Sequence, residues 1–294
     1  MLFLKEKITD ELDGCDVKTV LKKSMGVSSS LISKVKLRDN GILLNGARVF
    51  TNATVKSGDE LWFDIADSPS VKTVKKIHYP LDIVFEDEHL LIINKPAGMV
   101  AYASEKAEGP CTLQNALAYY FDDEHLNLHV VNRLDRGTTG LMTVAKNPYC
   151  HECLRQKLHT SEFEREYLAV TVGTPSPEKG MIDKPIARDE GSLIKRVISE
   201  DGAKALTLYE TVKQSPPFAL VRLKLKTGRT HQIRLHMSYM GCPLAGDFLY
   251  GSENKDLISR PALHSCTLRF THPVTGKLME FHSTPPEDML SLIK

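Results

Sequence analysis

The stretch LDIVFEDEHLLIINKPAGMV, residues 81–100, decides how the chain is read. Two apolar runs are separated by the acidic turn Glu86-Asp87-Glu88 and ended by Pro96-Ala97-Gly98, so they read as paired strands closed by a breaker. Downstream, CTLQNALAYYF (111–121) and NPYCHECLRQKLHT (147–160) have helical texture. REYLAVTVG (165–173), FALVRLKLKTG (218–228) and SCTLRFTHP (265–273) read as strands. Strands and helices do not alternate regularly. That pattern predicts an α+β core around a mixed, largely antiparallel sheet rather than a doubly wound parallel one.

Toward the N-terminus the texture changes. Asp16 can cap a helix in which Val17, Val20, Leu21 and Met25 recur at helical spacing, with Gly26 as its stop. Ser28 can cap a second helix carrying Leu31, Ile32 and Val35 on one face. GILLNGARVF (41–50) sets Asn45-Gly46 between two apolar runs, a tight-hairpin signal, and VKSGDELWFDI (55–65) adds a turn and a strand. Residues 66–78, ADSPSVKTVKKIH, have little periodicity and read as a linker. The expected organisation is a small α/β module over residues 1–68, a linker at 69–79, and the α+β domain at 80–294.

The 294 residues carry 41% hydrophobic and 26% charged side chains, an ordinary globular composition. A formal net charge of +1 gives no global basic field, so any polyanion site must be a local patch. One such patch is readable: Lys18, Lys22, Lys23, Lys34, Lys36 and Arg38 fall between Val17 and Arg38 with no acidic residue among them. Taken singly, each lysine suits a solvated helix face; together they offer a surface for phosphates. The six scattered cysteines suit reduced thiols better than a disulfide scaffold. Charge by Lys5 argues against a signal peptide, and no apolar run has membrane-spanning length. A cytoplasmic protein with no membrane partner is therefore expected.

Several chemistries lack their motifs. There is no phosphate-binding loop ending in Lys-Ser/Thr and no dinucleotide fingerprint. Cys150 and Cys153 form a lone pair without the second pair of ligands a zinc site needs, so they are expected to pack rather than bind. His125 and His129 share helical spacing without a carboxylate motif. No metal is expected.

NRLDRGTTG, residues 132–140, stands apart. It sets Asp135 between Arg133 and Arg136 and follows them with small residues. On a solvated surface this is an ordinary ion pair of little worth. The surroundings argue for more. NRLDRGTTGLM (132–142) resembles the His-Arg-Leu-Asp segment of RluA-type pseudouridine synthases. EDEHLLIINKPAGMV, REYLAVTVG, TGRTHQIRLHMSYMGCPLAGDFLYG (227–251) and ALHSCTLRFTHPVTGK (262–277) resemble that family's further motifs, in the family's order. ISKVKLRDNGILLNGARV and VKSGDEL resemble the small RNA-binding module named after the fourth protein of the small ribosomal subunit.

The resemblance implies an isomerase that converts specific uridines in structured RNA to pseudouridine, ribosomal RNA ahead of transfer RNA, by flipping the base out of its stack. It implies catalytic Asp135, with Arg234 as the cation beside it and Tyr167 against the uracil. It implies substrate contacts by Arg133, Arg136, Arg229, His231 and Leu263, and a monomer with no cofactor. Burial would raise a carboxyl pKa and a nearby cation offsets that rise, which is the physical reason to want Arg234 beside Asp135. Three positions depart from the family: Asn132 replaces its usual His, Thr139 replaces Ser, and MVAYAS (99–104) lacks a frequent His. Two rival readings remain: an RNA-binding protein on the same fold without turnover, and a hydrolase of nucleoside bonds. The second would want a second flanking carboxylate, and none is signposted.

Overall fold

The computed structural model describes residues 2–102, 111–252, 254 and 256–294; Ala103 and Ser104 of the MVAYAS stretch lie outside them. The N-terminal elements are β1 (Phe3–Lys7), α1 (Val17–Lys23), α2 (Ser29–Val35), β2 (Ile42–Leu44), β3 (Ala47–Arg48) and β4 (Glu60–Asp64). Both helices start at the caps the sequence offers: Asp16 accepts from Thr19 N at 2.7 Å and Ser28 accepts from Leu31 N at 3.1 Å. Asn45 (φ 51°) and Gly46 (φ 82°) turn β2 into β3 with positive φ at both central residues, as a tight hairpin demands. The sheet runs β1-β4-β2-β3 and buries Leu61 and Phe63 against Val20, Leu21 and Ile32.

No helix or strand occurs between Asp64 and Ile83. The segment is nevertheless tied down to residues 124–127. Ser70 N donates to His125 O, Val74 N donates to Glu124 O, and Asn127 donates to Ser68 O. Thus it is a strap held by backbone hydrogen bonds rather than a free tether.

The remaining elements are β5 (Ile83–Glu86), β6 (Leu90–Lys95), α3 (Leu113–Tyr120), β7 (His129–Val130), β8 (Thr139–Ala145), α4 (Pro148–Lys157), β9 (Phe163–Val172), β10 (Lys179–Asp183), β11 (Ile186–Arg188), β12 (Arg196–Ile198), β13 (Leu206–Ser215), β14 (Phe218–Leu225), α5 (Gln232–Tyr239), β15 (Leu263–Thr271), β16 (Leu278–His282) and α6 (Glu287–Leu290). His129 therefore lies in a strand and His125 outside the regular elements, so their helical spacing does not reflect a helix. A ten-stranded sheet runs β10-β13-β14-β9-β15-β8-β6-β5, with β16 on β15 and β7 on β8. β15 and β8 pair in parallel; the other pairings in this sheet are antiparallel. This is the mixed, largely antiparallel sheet of an α+β fold.

β8 is buried along its whole length. Its entry needs Gly140: φ is +108°, and a Cβ there would lie 2.3 Å from Ser265 O on β15. The parallel β8–β15 contact thus requires a glycine just past the Asp135 loop. α4 packs Tyr149, Cys150 and Leu154 into the same apolar core as Val20, Leu21 and Met25. Tyr149 also donates to Met25 O at 2.9 Å. Burial pushes the Cys150 thiol up to about 12, as expected for a packing residue.

Candidate active site

Asp135 stands in the loop between β7 and β8, above the central strands β14, β9, β15 and β8. Register brings its neighbours together: Tyr167 on β9 lies between Leu223 on β14 and Ser265 on β15, and Leu263 opens β15 opposite Ala169. The loop before α5 supplies Arg229 and His231, and α5 supplies Arg234. As a result Asp135, Tyr167, Arg133, Arg229, His231, Arg234 and Leu263 line one small cavity. Arg136 faces a neighbouring cleft that shares Asp135.

The Asp135 loop is braced by Asn132 and Thr139, which the sequence marks as departures from the family, and by His264, Arg260 and Lys95, which it does not single out. Asn132, 1% exposed, accepts from Thr143 N at 2.7 Å and donates to Leu141 O at 3.2 Å, tying the loop's start to β8. Thr139 Oγ1 meets His264 Nδ1 at 2.9 Å, which accounts for a hydroxyl at that position. Burial lowers the His264 pKa to about 4, so its imidazole is neutral. Arg260 holds Asp288 through bonds of 2.8 and 2.7 Å and turns Nη1 toward Gly137 O at 3.2 Å. Lys95, 1% exposed, donates to Pro96 O, Met99 O and Arg136 O. Burial pulls its ammonium down to about 7, with Asp135 opposing that shift and Arg260 reinforcing it.

Charge at the centre is arranged in two tiers. Arg234 lies 3.8 Å from Asp135 Oδ2, whereas its Nε and Nη2 donate to Asp247 at 2.7 and 2.6 Å. Burial works against the Arg234 charge, but the hydrogen bonds and field of Asp247, then the field of Asp135, hold its pKa above the ordinary value. The expected Asp135–Arg234 pair therefore exists as a looser contact, and Asp247 is the tight partner. Asp135 itself is partly open, with 31% of its side chain exposed. His231 Nε2 approaches the same carboxylate oxygen at 3.9 Å while Nδ1 meets Tyr250 Oη at 3.0 Å. Burial lowers the His231 pKa despite the opposing pull of Asp135. Tyr167 is 4% exposed; burial raises its phenol, Arg165 opposes that rise, and Asp135 adds to it. Its hydroxyl is protonated at neutral pH.

Beyond Asp135, one side of the site widens into a cleft of about 610 Å³ walled by Arg133, Arg155, Arg165 and Arg229, with Asp135 as its acidic residue. Lys18, Lys22, Lys23, Lys34 and Lys36 are exposed on the N-terminal helices and the turn after them. Arg38 differs: it donates to Asp64, Ala66 O and Ser68, so it clamps the end of β4 instead of facing solvent as a free cation. Among the described residues no group of three or more His, Cys, Asp or Glu side chains is placed to hold a metal. None of the helices described is long and apolar enough to cross a membrane.

Comparison with known proteins shows the family. The family model described as RNA pseudouridylate synthase matches residues 89–239. The Uncharacterized RNA pseudouridine synthase YjbO of Bacillus subtilis (strain 168) is 37% identical over 271 residues, covering 92% of this chain and 95% of that protein. Ribosomal large subunit pseudouridine synthase D of Vibrio cholerae is 35% identical, covering 87% of this chain and 83% of its own. The solved structure of Human RNA Pseudouridylate Synthase Domain Containing 1 superposes with a TM-score of 0.57 at 27% identity, over 70% of this chain and 84% of that one.

Proposed function

Because the chain belongs to the RNA pseudouridylate synthase family, we propose that it isomerises uridines of ribosomal RNA, with Asp135 as the catalytic carboxylate. The observation carrying this reading is the convergence of Asp135, Tyr167, His231 and Arg234 on one cavity. The ribosomal target is supported by the relative named for the large subunit.

The reaction breaks the bond from N1 of uracil to C1′ of ribose, turns the base, and joins C5 to C1′. The proton lost from C5 is balanced by one gained at N1, so no electrons, metal or energy source enter. The residues must hold an extruded base, act at the sugar, and keep the detached uracil from leaving. Asp135 acts at the ribose as nucleophile or base. Arg234, fixed by Asp247, favours the ionised carboxylate without competing for it by direct hydrogen bonds. Tyr167 lines the cavity and packs on the uracil, and its protonated hydroxyl serves proton movement from C5 by passing its own proton on toward N1 as it takes the new one. Leu263 closes the apolar side, and Arg133, Arg136, Arg229 and His231 hold the nucleotide and its phosphates.

We assign residues 1–68 to an RNA-binding module whose lysines contact phosphate, residues 69–79 to the connecting strap, and residues 80–294 to the catalytic domain. The chain is assigned to the cytoplasm as a monomer that uses no cofactor, in keeping with its free cysteines and with a reaction that is balanced by itself. The test is incubation of the protein with unmodified, uridine-labelled ribosomal RNA. Pseudouridine is the expected product. Free uracil would indicate a hydrolase, and tight binding with unchanged uridine would indicate an RNA-binding protein without turnover.

A further inference from the structure

The clefts on the two sides of Asp135 differ in chemistry. One is the groove walled by Arg133, Arg155, Arg165 and Arg229; the other, about 730 Å³, sets Phe248, Leu249, Ile194 and Pro261 beside Arg136, Arg234, Arg260 and His231. Phe248 is 55% exposed and Ile194 is 57% exposed. A single exposed apolar side chain is ordinary. Here two converge, from separate segments, on a cleft they share with the catalytic carboxylate. Phe248 follows the buried Asp247, and the Arg234 guanidinium carbon lies 5.6 Å from its ring centroid, so the ring is anchored on one side while much of it faces solvent. Ile194 lies in the connection between β11 and β12, beside Leu193, which is 92% exposed. Neither Phe248 nor Ile194 has a part in the isomerisation.

We propose that Phe248 and Ile194 form a stacking subsite for the unpaired base next to the target uridine. The proposal rests on the reading of Asp135 as the uridine-isomerising carboxylate. Flipping a nucleotide strips its neighbour of a stacking partner, and a neighbouring base gains by docking its face on an aromatic ring. The cleft volume falls within the range of about 300–1,000 Å³ usual for ligand sites. Asp135 is the acidic residue of its wall, so little there repels an RNA backbone, and exposed Arg136 can meet the phosphate linking the two nucleotides. Phe248 and Ile194 thus offer a base an apolar face, with Arg136 beside them for the linking phosphate.

The test uses the full chain and a ribosomal RNA hairpin whose loop uridine the wild-type protein converts. Two versions carry 2-aminopurine, one 5′ and one 3′ of that uridine. Binding is expected to quench one probe, as stacking does. Phe248→Ala and Ile194→Ala should each abolish that quench and weaken binding about fivefold or more, while leaving the other probe's response unchanged. Phe248→Tyr, which keeps the ring, should restore both. Quenching that survives Phe248→Ala, or two probes that never respond to wild-type protein, overturns the subsite. A structural role for Phe248 through Arg234 would slow turnover in both RNAs but would not silence one flank alone. Failure of the wild-type protein to convert any uridine is read separately, by pseudouridine analysis, and removes the assigned activity together with the subsite built on it.

Discussion

Arg234 grips Asp247 through two short hydrogen bonds and meets Asp135 only at 3.8 Å. The division suits a reaction in which one carboxylate must stay available while its counter-charge stays put. Asp247 is fully buried and also accepts from Leu249 N at 3.0 Å, so it orients the guanidinium from a rigid base. Removing its charge should therefore affect both fold and turnover. Asp247→Asn leaves buried Arg234 with only its looser 3.8 Å contact to Asp135, which is expected to cost about 3 kcal/mol of unfolding free energy. Chemical denaturation checks the stability, and single-turnover kinetics the rate. A variant as stable as the parent would show that the pair carries little.

Asp135→Asn is the contrasting case. The side chain is 31% exposed and makes only the longer contacts to Arg234 and His231, so its loss should change stability by under about 1 kcal/mol. Turnover should vanish, since the amide neither attacks the sugar nor takes a proton. RNA affinity should stay within about tenfold. Residual pseudouridine made by the pure variant would remove Asp135 from the chemistry.

Lys95 makes a pH-dependent prediction. Burial lowers its folded pKa to about 7, below the unfolded value near 10.5. Between those values the unfolded chain binds one more proton at this site than the folded chain, so this contribution to stability rises with pH. Lys95→Met removes that slope together with the carbonyl contacts. Melting temperatures of variant minus parent should thus fall as pH rises from 6 to 9. A difference independent of pH would show that the ammonium persists across the range.

The N-terminal lysines are tested through salt. Each phosphate that a lysine neutralises adds about 0.7–0.9 to the slope of log affinity against log salt. Lys22→Ala with Lys34→Ala should flatten the slope by roughly twice that without unfolding the module, because both side chains are exposed. Arg38→Ala should behave differently: it removes the clamp on Asp64, Ala66 and Ser68 and should lower stability more than it changes the slope. Unchanged slopes in the lysine variant would place the RNA elsewhere.

Local signals are the legible part of this protein. Asp16 and Ser28 cap their helices and Asn45-Gly46 makes its hairpin, because each depends on residues close in sequence. The candidate site residues are reached through motifs, and Asp135, Tyr167 and Arg234 line one cavity. What supports them is not. Lys95 reads as the polar end of an apolar strand, Arg260 as a loop cation and Asp247 as one residue of a long motif. Their roles depend on pairings across the fold, such as Arg260 with Asp288 and Gly137, that no local pattern encodes. Arg38 reads as a phosphate contact for the same reason: its charge is visible in the sequence, and its partner Asp64 is not identified until β4 folds beside it.

Asn132 offers the sharpest test of how the loop works. The family places His there, which invites a role in proton transfer. The structure gives the position a different role. The amide is 1% exposed and bridges Thr143 N and Leu141 O, so it fixes the loop that carries Asp135 onto β8. An imidazole also has a nitrogen that accepts and one that donates, so it can stand in that bridge without contributing a titrating group to the reaction. Asn132→His is therefore expected to change turnover by less than about tenfold, or roughly 1.4 kcal/mol, with no new limb in the pH–rate profile between about pH 6 and 7. Asn132→Leu fills the space but leaves Thr143 N without its buried acceptor, at a cost of about 1–3 kcal/mol. It should lower both melting temperature and turnover. Stopped-flow turnover from pH 5.5 to 8.5 separates the alternatives. A His variant far faster than the parent, with a fresh acid limb, would mean that the position acts on protons rather than on the backbone.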